Sequence, residues 1–283
     1  MGLALAGLEY ENLLSALDTA LARQLLIAGI YEALDEYWDA TQEHQRGIAV
    51  GERARTALAQ YPAERLRGED GAYLMRVTED LGRRFLLTKN FAQAEKSYHA
   101  ALQSTLHGTP ESEPQRKRWQ ATHYHNLGAV AQEQRQWPQA EHSYQQALAL
   151  KIEFNDRYEQ AKTYHMLGIV AQEQRQWQQA EQHFQQALAL KIEFNDRYSQ
   201  ASTYGQLGLL AEEQGQLSQA SAHLLQALAI FAEFGDEHSV GMTVRNLARL
   251  RTASGNESLA AAVAQVLGVS VEEVERRFES LRH

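Results

Sequence analysis

Apolar and polar residues alternate along this chain with the period of an α-helix, and the whole pattern recurs every 40 residues. In residues 161–200, apolar side chains first recur at the three- and four-residue spacing of one helix face. This series comprises Tyr164, Leu167, Ile169, Val170 and Ala171. A polar turn at 174–176 ends it, and a second apolar series runs from about Trp177 to about Phe194. The pattern predicts two antiparallel helices in each unit.

A capping signal precedes the first of these helices. The side chain of Asp156 can accept a hydrogen bond from the start of a helix, and Glu159 follows three residues later, as in a capping box. We therefore expect the helix to begin immediately after Asp156.

Three copies of the unit stand in tandem. Residues 121–160 and 161–200 differ at nine of 40 positions, and residues 201–240 are a looser third copy. A fixed period of this length is typical of stacked arrays, in which each unit buries its apolar face against its neighbours. The sequence predicts an all-α solenoid built from antiparallel helix pairs.

The same register continues in both directions. Residues 75–120 are predicted to be a first repeat with a long loop, and we place that loop at 107–120 because it holds two prolines. Residues 241–283 are predicted to be a degenerate repeat followed by a capping helix at 269–281, since stacked arrays need polar-faced ends.

The N-terminal residues have helical periodicity but only a faint repeat register. We predict a helical segment over 1–64. Residues 61–73 contain Pro62, Gly68 and Gly71, which indicate a break between helical layers of one continuous body.

Charge and composition narrow the classes of function. The net charge of −9 argues against a surface that follows nucleic-acid phosphates. The absence of cysteine excludes disulfides and thiolate metal sites. No apolar run approaches the roughly 20 residues that cross a bilayer, and the N-terminus lacks the basic segment of a secretory signal. These features favour a cytoplasmic protein without nucleic-acid or membrane partners.

The repeated unit resembles the tetratricopeptide repeat (TPR). That family has a bulky residue at unit position 4, Leu-Gly at 7 and 8, small residues at 20 and 27, and an aromatic residue at 24. Counted from residue 161, these are Tyr164, Leu167, Gly168, Ala180, Ala187 and Phe184. The resemblance covers about 75–265 and implies a right-handed superhelix. The usual terminal proline is missing, and a segment such as FNDRY extends the unit to 40 residues.

A second resemblance concerns residues 8–21, LEYENLLSALDTAL. This segment is similar to the helix that follows the winged-helix domain in STAND-class NTPases, the bacterial relatives of NLR immune receptors. In that family a repeat array senses the ligand. The resemblance implies that the chain is the sensing part of a bacterial signalling or defence ATPase. A free-standing scaffold adaptor that bridges protein partners is the alternative.

In tetratricopeptide proteins the first helix of each unit lines a concave face that meets a protein or peptide. Unit positions 2, 5, 6, 9, 12 and 13 share one helical face. From this face we select as candidate ligand-binding residues Arg83, Thr122, His125, Asn126, Ala129, Glu133, Lys162, His165, Met166, Ile169, Glu173, Gln206, Leu209, Arg245, Asn246 and Arg249. The predicted groove has an apolar middle, a row of glutamates and arginines near both ends. Self-association through the ends of the stack is a further option.

The two nearly identical copies differ on this face at unit positions 2, 6 and 9. The pairs are Thr122 and Lys162, Asn126 and Met166, and Ala129 and Ile169. Our hypothesis is that divergence there tuned contacts with the ligand, and random drift is the alternative.

The sequence contains no catalytic constellation. His123 and His125 are two residues apart and point to different helix faces, which gives too few donors for zinc. Arg116, Lys117 and Arg118 are predicted to lie in a solvated loop. No phosphate-binding loop, GxSxG or HExxH motif occurs. We therefore expect no enzymatic activity, no metal and no cofactor.

Overall fold

The computed structural model describes residues 9–106 and 112–281, and all the regular elements among them are α-helices. Contacts divide the chain into two compact units, residues 1–154 and residues 155–283. The first unit contains α1 (Tyr10–Ala22), α2 (Ala28–Thr41), α3 (His44–Leu58), α4 (Ala63–Leu66), α5 (Glu69–Leu87), α6 (Phe91–Leu106), α7 (Glu113–Glu133) and α8 (Trp137–Glu153). The second contains α9 (Arg157–Glu173), α10 (Trp177–Glu193), α11 (Arg197–Glu213), α12 (Leu217–Glu233), α13 (Glu237–Ser254), α14 (Ser258–Leu267) and α15 (Val271–Ser280).

Helices of the second unit pack as consecutive pairs. Helix α9 packs against α10, α11 packs against α12, and α10 joins the two pairs by contacting α11. The predicted cap is present, because Asp156 Oδ1 accepts a hydrogen bond from the Glu159 backbone N–H at 3.3 Å. Asp196 and Asp236 cap α11 and α13 in the same way. The all-α class and the helix-pair organisation predicted from the repeats are confirmed.

Close packing between the two helices of a pair depends on glycine. A Cβ added to Gly168 of α9 would lie 2.6 Å from Cδ1 of Phe184 on α10, and Phe184 is fully buried. In the first unit, a Cβ on Gly128 would lie 2.7 Å from the ring of Tyr144. The glycine therefore creates the space that the facing aromatic ring fills, as the pattern of small and aromatic positions predicts.

The C-terminal helices close the core of the second unit. Val274 and Phe278 of α15 are buried in a cluster with residues of α13 and α14. Ser270 caps α15 by accepting a hydrogen bond from the Glu273 backbone N–H. A helix therefore occupies most of the segment 269–281.

The prediction of a loop over 107–120 is wrong for most of that segment. Helix α7 begins at Glu113, with Pro114 in its first turn, whereas residues 107–111 lie outside the described part of the chain. Proline is tolerated there because the first backbone N–H groups of a helix have no intrahelical acceptor. The basic triplet 116–118 is consequently helical, and Lys117 pairs with Glu113 and Glu153.

The turn between the helices of a pair needs a left-handed residue. Arg175 occupies this position with φ of +58°, and Gly215 stands at the equivalent position in the next unit. A side chain with a Cβ is strained in this region, whereas glycine is not. We expect Arg175→Gly to raise the free energy of unfolding by about 1 kcal/mol, measured by urea denaturation. Arg175→Ala retains the Cβ and serves as the control, and an equal gain from alanine would contradict the explanation.

Candidate first-helix cavity

Three successive first helices of the second unit line an open cavity of about 490 Å³. We call it the first-helix cavity. Its lining residues come from α9, α11 and α13, and they are Ile169, Gln172, Glu173, Gln206, Leu209, Glu212, Glu213 and Arg249. The helix period explains this grouping, because residues three and four apart share a face of each helix. Five of the sequence-predicted residues, Ile169, Glu173, Gln206, Leu209 and Arg249, are brought together here.

The cavity combines an apolar patch with a charged rim. Ile169 and Leu209 are half-buried, and Ile169 packs against the cluster that contains Phe184 and Leu207. Arg249 donates two hydrogen bonds to Glu212, from Nε to Oε1 at 2.8 Å and from Nη2 to Oε2 at 2.6 Å. Glu173 and Glu213 are exposed. The apolar patch thus lies beside the Arg249–Glu212 pair and beside two carboxylates that are open to solvent.

Three lining residues, Gln172, Glu212 and Glu213, were missed in the selection from sequence. Gln172 and Glu212 occupy unit position 12, which belongs to the predicted helical face. Position 12 is glutamine in residues 161–200 and glutamate in residues 201–240. This difference could have indicated the site, because a glutamate there can form an ion pair with Arg249.

His165 does not lie on the accessible face, although it was selected for it. Its side chain is 8% exposed, and Nδ1 lies 3.2 Å from Thr203 Oγ1 of the next first helix. Lys191 donates a hydrogen bond to the same hydroxyl at 2.7 Å. Burial and the charge of Lys191 lower the pKa of His165 to about 3. The His165 side chain therefore packs between two first helices and is not accessible to a ligand.

The other candidates of the second unit lie outside the first-helix cavity. Lys162 is exposed, pairs with Glu159 and lies over the ring of Tyr158. Met166 and Asn246 are half-buried. Arg245 lines a different cavity of about 870 Å³ beside α15. Of the three divergent positions in this copy, only position 9 reaches the cavity.

The candidates of the first unit divide between α7 and α5. Thr122 and Glu133 are exposed on α7. The other three α7 candidates, His125, Asn126 and Ala129, are half-buried, and the ring of His125 lies 5.1 Å from that of Tyr144.

Arg83 is not available to a ligand in the way that the sequence suggested. It donates hydrogen bonds to Asp39 at 2.5 Å and to Asp35 at 3.1 Å, both on α2. The neighbouring Arg84 is fully buried and pairs with the same two aspartates. Helix α2 thus supplies carboxylates to both arginines of α5, and Arg83 is already paired within the chain.

Sequence comparison identifies the repeats. Residues 119–193 match the tetratricopeptide repeat family. These residues are tetratricopeptide repeats. No curated protein matches it in sequence.

Solved structures share the fold of this chain at low sequence identity. BtubC (BKLC) from P. vanneervenii is 19% identical with a TM-score of 0.65, and the match covers 84% of this chain and 92% of that one. The apo form of RapI is 15% identical with a TM-score of 0.62, covering 89% and 84%. The Rap conjugation gene regulator of the plasmid pLS20, in complex with the Phr* peptide, is 16% identical with a TM-score of 0.56, covering 95% and 75%.

None of the described helices combines the length and the apolar character that a membrane span requires.

Proposed function

We propose that the chain is a recognition module that binds a protein or peptide through the first helices of its tetratricopeptide repeats. The observation that carries the proposal is the first-helix cavity of about 490 Å³, which three successive first helices line. Its volume lies within the roughly 300–1,000 Å³ of small-ligand sites, and it combines an apolar patch with a few polar groups. The TPR family match and the peptide complex formed by one protein of the same fold support this proposal.

A pull-down comparison tests the proposal. The full chain is immobilised as wild type, as a face variant with Ile169→Ala, Leu209→Ala and Arg249→Ala, and as a control with Gln182→Ala, Gln186→Ala and Gln226→Ala on exposed positions of the second helices. We expect proteins retained by the wild type and by the control to be lost from the face variant. Equal retention by all three, measured by quantitative mass spectrometry, would contradict a role for this face.

We further propose that the module is the ligand-sensing part of a bacterial STAND-type signalling or defence ATPase. Helix α1, Tyr10–Ala22, occupies most of the segment that resembles the linking helix of that family, and the repeats follow it. A phosphate-binding loop encoded in the same polypeptide would support this assignment. In the alternative, a free-standing scaffold adaptor, the same face bridges protein partners and no NTPase belongs to the polypeptide.

A further inference from the structure

The charge pattern of the first-helix cavity indicates which kind of peptide it accepts. Three carboxylates, those of Glu173, Glu212 and Glu213, line the cavity together with one guanidinium, that of Arg249. Arg249 uses two of its N–H groups on the two oxygens of Glu212, so this pair is neutral as a unit. The exposed carboxylates of Glu173 and Glu213 take no part in it. The cavity therefore offers a net negative charge to a ligand.

The two open carboxylates are placed to act together. Glu173 and Glu213 occupy the same unit position on α9 and α11, which contact each other. Packed helix axes are about 8–10 Å apart, so a long, flexible cationic side chain can approach both carboxylates from the open side. Two carboxylates around one cation complement its charge better than an exposed single pair does.

The apolar patch lies within the same cavity. Ile169 and Leu209 are half-buried on α9 and α11, and a ligand side chain that covers them gains from removal of apolar surface from water. The side-chain amides of Gln172 and Gln206 line the cavity beside them and can bind a peptide backbone, because each amide offers both a donor and an acceptor.

Anionic ligands fit this site poorly. The single guanidinium of the cavity already carries a bidentate bond to Glu212. A carboxylate or phosphate would have to displace Glu212 and would then face Glu173 and Glu213, and like charges in one site repel.

We propose that the first-helix cavity binds a peptide segment in which a lysine or arginine stands beside an aliphatic or aromatic residue. This inference rests on the proposed function and adds the chemistry of its ligand. The cation lies between Glu173 and Glu213, the apolar side chain covers Ile169 and Leu209, and the Arg249–Glu212 pair forms the far wall.

Selection from a displayed library of random peptides tests this proposal on the full chain. The probe peptides are those that the wild type retains and a variant with Ile169→Ala and Leu209→Ala does not. The fold tolerates alanine at unit position 9, because Ala129 occupies it in the neighbouring copy. We expect the retained peptides to be enriched in lysine or arginine next to leucine, isoleucine, methionine or phenylalanine.

Binding measurements then separate the contribution of the two carboxylates from that of the rest of the cavity. For the retained peptides we expect Glu173→Gln with Glu213→Gln to weaken binding roughly tenfold and to reduce its dependence on salt concentration. Glu279→Gln, an exposed glutamate on α15 outside the cavity, is the matched control and should leave the dissociation constant unchanged.

The outcomes distinguish this proposal from the function on which it rests. One contrary result is that the peptides that depend on the cavity are acidic or neutral, and another is that they bind the variant with Glu173→Gln and Glu213→Gln as tightly as the wild type. Either result would contradict the proposed basic ligand and leave peptide recognition by the cavity intact. If every retained peptide binds the alanine variant equally well, or if none is retained, recognition by this cavity fails and the basic ligand fails with it.

Discussion

Lowering the pH from 7 to 4 is expected to destabilise the chain by several kcal/mol, and His165→Asn is expected to remove much of that loss. An unfolded histidine has a pKa near 6.5, whereas burial and Lys191 lower the pKa of folded His165 to about 3. The unfolded chain therefore takes up a proton below pH 6.5 that the folded chain excludes. The contribution of His165 to the free energy of unfolding is fully present above pH 6.5. It is lost as the pH falls towards 3, by up to about 5 kcal/mol.

Other groups contribute to the same pH range. Burial lowers the pKa of His123 to about 4, so this residue adds a loss of the same sign. Asp80 opposes it, because burial and the neighbouring Asp35 raise its pKa to about 7 and its protonation favours the folded state as the pH falls. These two residues lie in the first unit, whereas His165 lies in the second, so a His165 variant isolates one contribution.

Urea denaturation at several pH values measures this effect. Asparagine does not titrate and retains a polar atom that can bond the Thr203 hydroxyl, so His165→Asn should flatten the dependence of the unfolding free energy on pH between 6.5 and 4. His142→Asn changes an exposed histidine on α8 and is the control. An unchanged slope in His165→Asn would show that this side chain is not buried in its neutral form.

Gly168→Ala is expected to destabilise the wild-type chain by about 1–3 kcal/mol and to stabilise a chain that already carries Phe184→Ala. In the wild type the new Cβ would lie 2.6 Å from Phe184 Cδ1, so the buried ring must shift. Phe184→Ala alone should cost about 3–5 kcal/mol because it empties a core position. With the ring absent the added methyl has space, and alanine gains its usual advantage of about 1 kcal/mol over glycine in a helix.

A double-mutant cycle measured by thermal or urea denaturation reveals this reversal of sign. Gly205→Ala is the matched control, because Gly205 lies inside α11 and nothing is within 4 Å of an added Cβ. That substitution should stabilise the protein in both backgrounds. A penalty at Gly168 that persists after removal of the Phe184 ring would show that contact with the ring is not its cause.

Much of the fold could be predicted from the sequence because each unit repeats the same local chemistry. The 40-residue period, the cap at Asp156, and the pairing of Gly168 with Phe184 all follow from short-range or repeated features of the sequence. The prediction was wrong where one local feature is compatible with two structures. Pro114 suggests a loop, but it lies in the first turn of a helix.

The sequence by itself determined that the second unit is an array of helix pairs and that one face of its first helices is partly apolar and rich in glutamate. Only the tertiary structure decided which residues of that face are accessible. Helix periodicity determines which residues share one face of a helix, but the neighbouring helices determine whether that face is exposed to solvent. For this reason Ile169 and Leu209 line a cavity, His165 is buried between layers, and Arg83 is paired with aspartates of α2, more than 40 residues earlier in the chain.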